Sequence, residues 1–251
     1  MGNQAVERPV VRMPANARAR YFQAEGRTHV ARENPRRAWS IVVLRDREAA
    51  LSLIGADDAT ARRLSIFCEV LARWRRVTDL ISENSFPDIW LRHIADSGQL
   101  LHLAPAARNW VDLGTGAGFP GMVIAIQLAG IPGARVHCIE SDRRKCAFLR
   151  EVARETGAPA EIHAARIESI DPLALLPVDA VTSRALAPLP RIMEFARVWI
   201  ENGAIGLFPR GKTTQAQLQG LSSSIAAEIR IHRSQIDPGA EIVSARRGSR
   251  E

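Results

Sequence analysis

The sequence predicts an α/β protein, a mostly parallel sheet of seven strands preceded by a cap of helices. Three observations lead there. From Asn109 onward short apolar runs alternate with longer amphipathic ones, the pattern of strands joined by helices in a parallel sheet. Between Arg47 and Leu103 the periodicity is helical, with no strand signal to interrupt it. A run of four glycines, in NWVDLGTGAGFPG from Asn109 to Gly121, joins the first strand to the helix after it.

Taken in order, residues 1–45 show no sustained apolar period and are broken by Pro9, Pro14, Gly26 and Pro35, so they read as a basic, disordered extension. A first short helix is expected over Arg47–Ile54. A second follows Asp57, a natural N-cap, with Ala61, Leu64, Phe67, Cys68, Leu71 and Trp74 on one stripe. A third, over Pro87–Leu103, sets Ile89, Trp90, Ile94 and Leu100 near one face, which completes a helical cap over residues 46–108. The second domain, residues 109–251, holds strands at Trp110–Leu113, Arg135–Ile139, Glu161–His163, Ala180–Ser183, Ala204–Phe208, Ile229–Arg233 and Glu241–Ser244. Its helices fall at Pro120–Ala129, Arg143–Thr156, Leu189–Ile200 and Thr213–Ala227. The last two strands suit an antiparallel hairpin across Asp237-Pro238-Gly239.

Composition excludes several classes. With 46% apolar and 24% charged residues in 251, the chain is neither wholly disordered, collagenous nor a disulfide-stapled miniprotein. The apolar run from Met122 is broken by Gln127 and stopped by Gly130, far short of the roughly 18 residues a membrane helix needs. No secretory signal opens the chain, and Cys68, Cys138 and Cys146 have no zinc-ligand spacing, so a cytoplasmic protein with inert buried thiols and no metal is expected. The net charge of +7 sits mostly in residues 1–50, where ten Arg face five acids; the rest of the chain is near neutral. Lys145 and Lys212 are the only lysines, a bias that fits either a GC-rich genome or an arm that meets phosphate.

The glycine loop carries the chemistry. Without Cβ atoms, backbone amides approach a ligand closely, and the helix start favoured by Pro120 adds partial positive charge. Gly116-x-Gly118-x-x-Gly121 matches a dinucleotide fingerprint literally. Asp112 followed by Gly114, Gly116 and Gly118 equally has the form of an S-adenosylmethionine loop. Both designs want an acid at the end of the next strand for the ribose hydroxyls, and Glu140 stands there. Only about 130 residues follow the loop, too few for a second nucleotide half and a substrate domain, so the balance favours a Rossmann-like methyltransferase of class I.

The ordered motifs WRRVTDL from Trp74, RHIADS from Arg92, GTGAGFPG from Gly114, ARIE from Ala165 and SRA from Ser183 together resemble one family, ribosomal RNA small subunit methyltransferase G, also called glucose-inhibited division protein B. Trp74-Arg75-Arg76-Val77-Thr78-Asp79-Leu80 is similar to its W-N-x-x-x-N-L, and Arg92-His93-Ile94-Ala95-Asp96-Ser97 to its R-H-x-x-D-S. GTGAGFPG matches its G-T-G-x-G-x-P-G, Ala165-Arg166-Ile167-Glu168 its A-R-(V/I)-E, and Ser183-Arg184-Ala185 its S-R-A. Asp79 departs from the usual Asn, Gly98 from an apolar residue, and Pro209-Arg210-Gly211 from Leu-Lys-Gly. The resemblance implies methyl transfer from S-adenosylmethionine to N7 of a guanine in 16S rRNA of the small ribosomal subunit. It also implies cofactor contacts at Gly114, Phe119, Ile167, Glu168 and Arg184, to which the loop argument adds Gly116 and Glu140. His93, Asp96 and Arg210 are candidates for substrate binding, and Arg184 for positioning; a monomer is expected. Guanine N7 offers a lone pair and loses no proton, so no catalytic base is required. Competing readings are a methyltransferase for a small molecule or protein, a dinucleotide-dependent oxidoreductase, and a non-catalytic RNA-binding module.

Overall fold

A computed structural model describes residues 46–184, 186–211 and 227–248. The N-terminal extension and most of the helix expected at Thr213–Ala227 lie outside the described residues.

The cap opens with α1 (Arg47–Leu53) and α2 (Asp58–Trp74), and Asp57 caps α2 by accepting the Thr60 amide at 2.7 Å. The segment expected as one helix over Pro87–Leu103 is instead a wide π-helical turn, Ile89–Ala95, followed by short α turns at Asp96–Gly98 and Leu100–Leu103. Its apolar residues explain the difference: Ile89, Trp90, Leu91, Ile94 and Ala95 are all buried, more of the circumference than one α-helical stripe covers. π turns of this kind concentrate at functional sites.

The seven strands are β1 (Asn109–Leu113), β2 (Arg135–Glu140), β3 (Ala160–Ala164), β4 (Ala180–Thr182), β5 (Ile205–Gly211), β6 (Ala227–Arg233) and β7 (Ala240–Arg247). They form one sheet in the order β3-β2-β1-β4-β5-β7-β6. All neighbours run parallel except β7, antiparallel to both β5 and β6. The order reverses beside β1, between β2 and β4, so the crevice where such sheets bind ligands opens at the carboxyl end of β1. Helices α3 (Gly121–Gln127), α4 (Arg143–Thr156) and α5 (Leu189–Glu201) make three of the parallel crossovers, and β3 connects to β4 through the short 3-10 turns Ile167–Ser169 and Pro172–Leu175.

Two apolar layers hold the sheet. One face packs with Ile192, Met193, Ala196 and Trp199 of α5. The other joins α3 and α4 to the cap in a continuous core, in which Phe67 of α2 lies 6.2 Å from Phe148 of α4 and Trp74 lies 6.0 Å from it. Trp74 also donates to Glu151 at 2.8 Å, and Arg73 pairs with the same carboxylate at 3.0 Å. Trp74 and the buried Trp90 are therefore packing residues of the cap. The three cysteines are buried, and burial pushes their thiols up, away from reactive thiolate.

Candidate active site

The glycine loop leaves the carboxyl end of β1, where the Gly114 and Thr115 amides donate to the Ile139 carbonyl at 2.9 and 3.1 Å and pin the turn to β2. Glu140, the last residue of β2, binds with both carboxylate oxygens: Oε2 accepts the Gly116 amide at 3.0 Å and Oε1 the Asp142 amide at 2.7 Å. Gly116 has φ +58°, and a Cβ there would meet only the Gly114 carbonyl, at 3.8 Å, so the flank of the loop beside Glu140 is open.

Asp112 lies beneath this loop. Its Oδ2 accepts the Gly121 amide at 2.8 Å, its Oδ1 has no partner among the described residues, and burial pushes the carboxyl up to about 7. A Cβ on Gly121 would stand 2.5 Å from Oδ2, so glycine here is a matter of room. The third cofactor candidate, the turn Ile167–Ser169 after β3, puts Ile167 against the core and Glu168 at the surface, 3.6 Å from Arg191 of α5. The carboxylate of Glu168 is thus engaged with α5.

Arg184 follows β4 and is held in place from its own strand end. Ser183 Oγ donates to the Leu113 carbonyl at 2.8 Å and Thr182 Oγ1 to the Leu207 carbonyl at 2.7 Å. Its guanidinium reaches the π-helical turn, where it donates to His93 Nδ1 at 2.8 Å and to the Arg92 carbonyl at 3.4 Å, and stands 3.5 Å from Asp96 Oδ2. It also lies 5.2 Å from the Phe119 ring, which stacks at 5.0 Å on His93 and at 5.2 Å on Phe67. The cap thereby joins the glycine loop to the strand end through Phe119.

The electrostatics of this cluster are set by its burial. Burial, then the Arg184 and Arg92 charges, pushes His93 down to about 3, so the ring is neutral near pH 7. Since Nδ1 accepts from Arg184, Nε2 carries the hydrogen, and this buried donor has no partner among the described residues. Burial raises Asp96 and the Arg184 charge partly offsets it, while burial also lowers Arg184 below its usual range.

A cleft of about 530 Å³ opens here, lined by Arg92, His93, Asp96, Arg184, Arg210 and Asp237 among others. Arg210, on β5, donates to the Ala187 carbonyl at 2.8 Å and leaves Nε and a second terminal nitrogen without partners among the described residues. The structure thus gathers His93, Asp96, Arg184 and Arg210 in one cleft, and Gly114, Gly116 and Glu140 at the adjoining loop. Phe119 bridges the two.

Two contributors had little signal in the sequence. Gln99 donates to Asp96 Oδ1 at 2.8 Å and accepts from the Gln235 amide at 2.9 Å, tying the cap to the β6–β7 turn. Leu186 lies against the loop, its Cδ1 2.6 Å from where a Cβ on Gly114 would stand. Gln99 stands two residues after the R-H-x-x-D-S segment, beyond Gly98, its one hint; Leu186 had none. The cationic start of α4, by contrast, is solvent-facing: Arg143 and Arg144 are exposed, and Asp142 caps the helix by accepting the Arg144 and Lys145 amides at 2.7 and 3.1 Å.

A glycine turn after the first strand, an acid from the second bonded back to it, and a seventh strand reversed between β5 and β6 define a class I methyltransferase fold. Solved structures agree on the fold. The METTL16 methyltransferase domain superposes with a TM-score of 0.54 at 13% identity, over 76% of this chain and 81% of that one. Cofactor-bound Rv0187 from MTB gives 0.53 at 18% identity, over 87% and 100%. At the level of sequence, residues 60–237 match the GidB family model, rRNA small subunit methyltransferase G. A ribosomal RNA small subunit methyltransferase G of Methylobacterium sp. (strain 4-46) is 47% identical over 69% of this chain and 82% of its own. That of Caulobacter vibrioides (strain NA1000 / CB15N) is 42% identical over 79% and 90%. The chain belongs to the rRNA small subunit methyltransferase G family.

Proposed function

We propose that this protein transfers a methyl group from S-adenosylmethionine to N7 of a guanine in the 16S rRNA of the small ribosomal subunit, acting as a monomer. The observation that carries the reading is the connection of the two half-sites: the open loop flank with Glu140 at Gly116 and the Arg184–His93–Asp96 cleft are linked by Phe119 of the same loop, whose buried ring packs on His93 at 5.0 Å and on the Arg184 guanidinium at 5.2 Å.

S-adenosylmethionine supplies an electrophilic methyl group on its sulfonium. The residues fit it: Glu140 offers carboxylate oxygens at the position suited to ribose hydroxyls, and the flank of Gly116 leaves room beside them. Gly114, Ile167 and the backbone of Glu168 complete that side of the site in this reading, the Glu168 carboxylate being turned to Arg191. Guanine N7 has no proton to lose, so the protein's task is orientation and exclusion of water. His93 supports this, because a ring pushed down to about 3 neither gives nor takes a proton near neutrality. Its unpartnered Nε2–H and the free guanidinium nitrogens of Arg210 suit acceptors on a purine edge or an RNA phosphate. Arg184, fixed by Asp96 and His93, positions rather than reacts. No helix among the described residues is long and apolar enough to cross a membrane.

The test is methyl transfer from labelled S-adenosylmethionine to small subunits from a strain lacking this gene, beside naked rRNA and wild-type subunits, with the product base mapped. Label at a guanine N7 in the deletion-strain subunits, and little in wild-type ones, is the expected result. Cofactor binding without transfer to any RNA would overturn the substrate assignment.

A further inference from the structure

On β2 and β3, away from the glycine loop, three side chains with no role in the reading above converge. His137 is directly opposite Glu161 in the parallel register, and His163 is opposite Ile139, two residues along, so all three project from one face of the sheet. His137 Nδ1 lies 3.0 Å from His163 Nε2 and 3.6 Å from Glu161 Oε2; His163 Nε2 lies 3.9 Å from Glu161 Oε1.

We propose that His137, Glu161 and His163 form a zinc-binding site that clasps the edge strand β3 to β2. A tetrahedral zinc with bonds of about 2.0–2.1 Å holds its ligand atoms roughly 3.3 Å apart. The two imidazole nitrogens, 3.0 Å apart, are already close to that spacing. Glu161 faces them with a different oxygen each, Oε2 at 3.6 Å from His137 and Oε1 at 3.9 Å from His163, and one ligand atom from each residue lies within 4.8 Å of the others, so rotation of the half-exposed Glu161 side chain brings one oxygen to the metal. Two imidazoles and one carboxylate form a donor set suited to zinc rather than to calcium or magnesium, which prefer all-oxygen shells. The His137 side chain is only 5% exposed and His163 19%, against 53% for Glu161. The fourth position therefore opens toward the Glu161 side, where water completes the shell.

Binding requires both facing nitrogens to present lone pairs. The one hydrogen between them moves to the far nitrogen of the ring that holds it, so two neutral rings bind zinc without net proton release. Arg135 Nε, 4.0 Å from Glu161 Oε2, competes for the carboxylate. The clasp would hold β3 in register with β2; about three residues further along β2, roughly 10 Å away, stands Glu140.

The experiment uses the full, tag-free chain, stripped with chelator and then titrated with zinc sulfate. One equivalent of zinc should survive gel filtration. Tm should rise by about 5–10 °C at a hundredfold excess over Kd. Cobalt(II) in place of zinc should give the intense visible bands of a four-coordinate site. Glu161→Gln, at an exposed position, and His163→Gln should each abolish the retained metal and the Tm rise while the stripped protein stays folded by circular dichroism. Arg135→Gln should tighten binding. No retained zinc, zinc held equally by both ligand variants, or octahedral cobalt spectra would overturn the proposal, and none of these outcomes depends on the methyltransferase reading.

Discussion

Replacing Asp112 by Asn separates the packing role of this side chain from its charge. The carboxyl is fully buried, and burial outweighs the Gly121 amide that would favour the ionised form, leaving it at about 7. In the unfolded chain an Asp ionises near 3.9. The folded state therefore holds its proton over a range in which the unfolded state has lost it. Stability is full below about pH 4, falls as the pH climbs, and levels off above about pH 7. Between about pH 5 and about pH 8 this linkage amounts to about 2–3 kcal/mol. Asn keeps an oxygen for the Gly121 amide and cannot ionise, so the variant lacks this slope. It places an NH₂ where Oδ1 has no partner, a constant cost of about 1–2 kcal/mol. The variant should therefore be the less stable protein at about pH 4, draw level near pH 5, where the wild type has already lost about 1–2 kcal/mol, and gain about 5–10 °C in relative Tm between about pH 5 and about pH 8. Thermal denaturation without cofactor, followed by circular dichroism at several pH values, measures it. Wild-type and variant profiles that run parallel would refute the buried-acid argument.

Other expectations follow from the same geometry. Gly121→Ala forces a methyl against the Asp112 carboxylate, 2.5 Å from Oδ2, and should cost about 1–3 kcal/mol by denaturant unfolding; an unchanged midpoint would mean that the carboxylate is free to move. Glu140→Gln weakens the acceptor at the Gly116 amide and should raise the Kd for S-adenosylmethionine about tenfold by calorimetry, with unfolding little changed. Arg184→Met removes the partner of Asp96 and His93 and should lower methyl transfer about a hundredfold; equal activity would dismiss Arg184 as a positioning residue. His93→Gln should reduce kcat/KM yet leave its pH profile between about pH 6 and pH 8 unaltered, since the native ring does not titrate there. Disappearance of an ionisation in that range would contradict the neutral-histidine assignment.

Much of the site was legible because its signals are local. Glycine spacing, an acid ending a strand and a proline opening a helix depend on neighbours in the chain, and the loop from Gly114 to Gly121 formed as its residue types require. The hairpin of β6 and β7 was equally readable from its turn, although β6 begins at Ala227, two residues before the expected start, and β7 runs on to Arg247. The π turn was not readable, because apolar spacing registers which residues are buried but not whether a helix widens to bury more of them.

By itself, then, the sequence determined the parallel sheet, the two helices α1 and α2 ahead of it, the glycine loop and, through ordered motifs, the family. Only the tertiary structure decided which side chains meet. Arg184 and His93 are 91 positions apart, and their contact at 2.8 Å exists because the cap packs across the end of β4. His137 and His163, 26 positions apart, face each other because the register of β2 and β3 sets them on one side of the sheet. The physical reason is the same in both cases. Local patterning sets the type of each element through backbone and hydration preferences, whereas long-range pairs depend on strand order, register and core packing, which no short window contains.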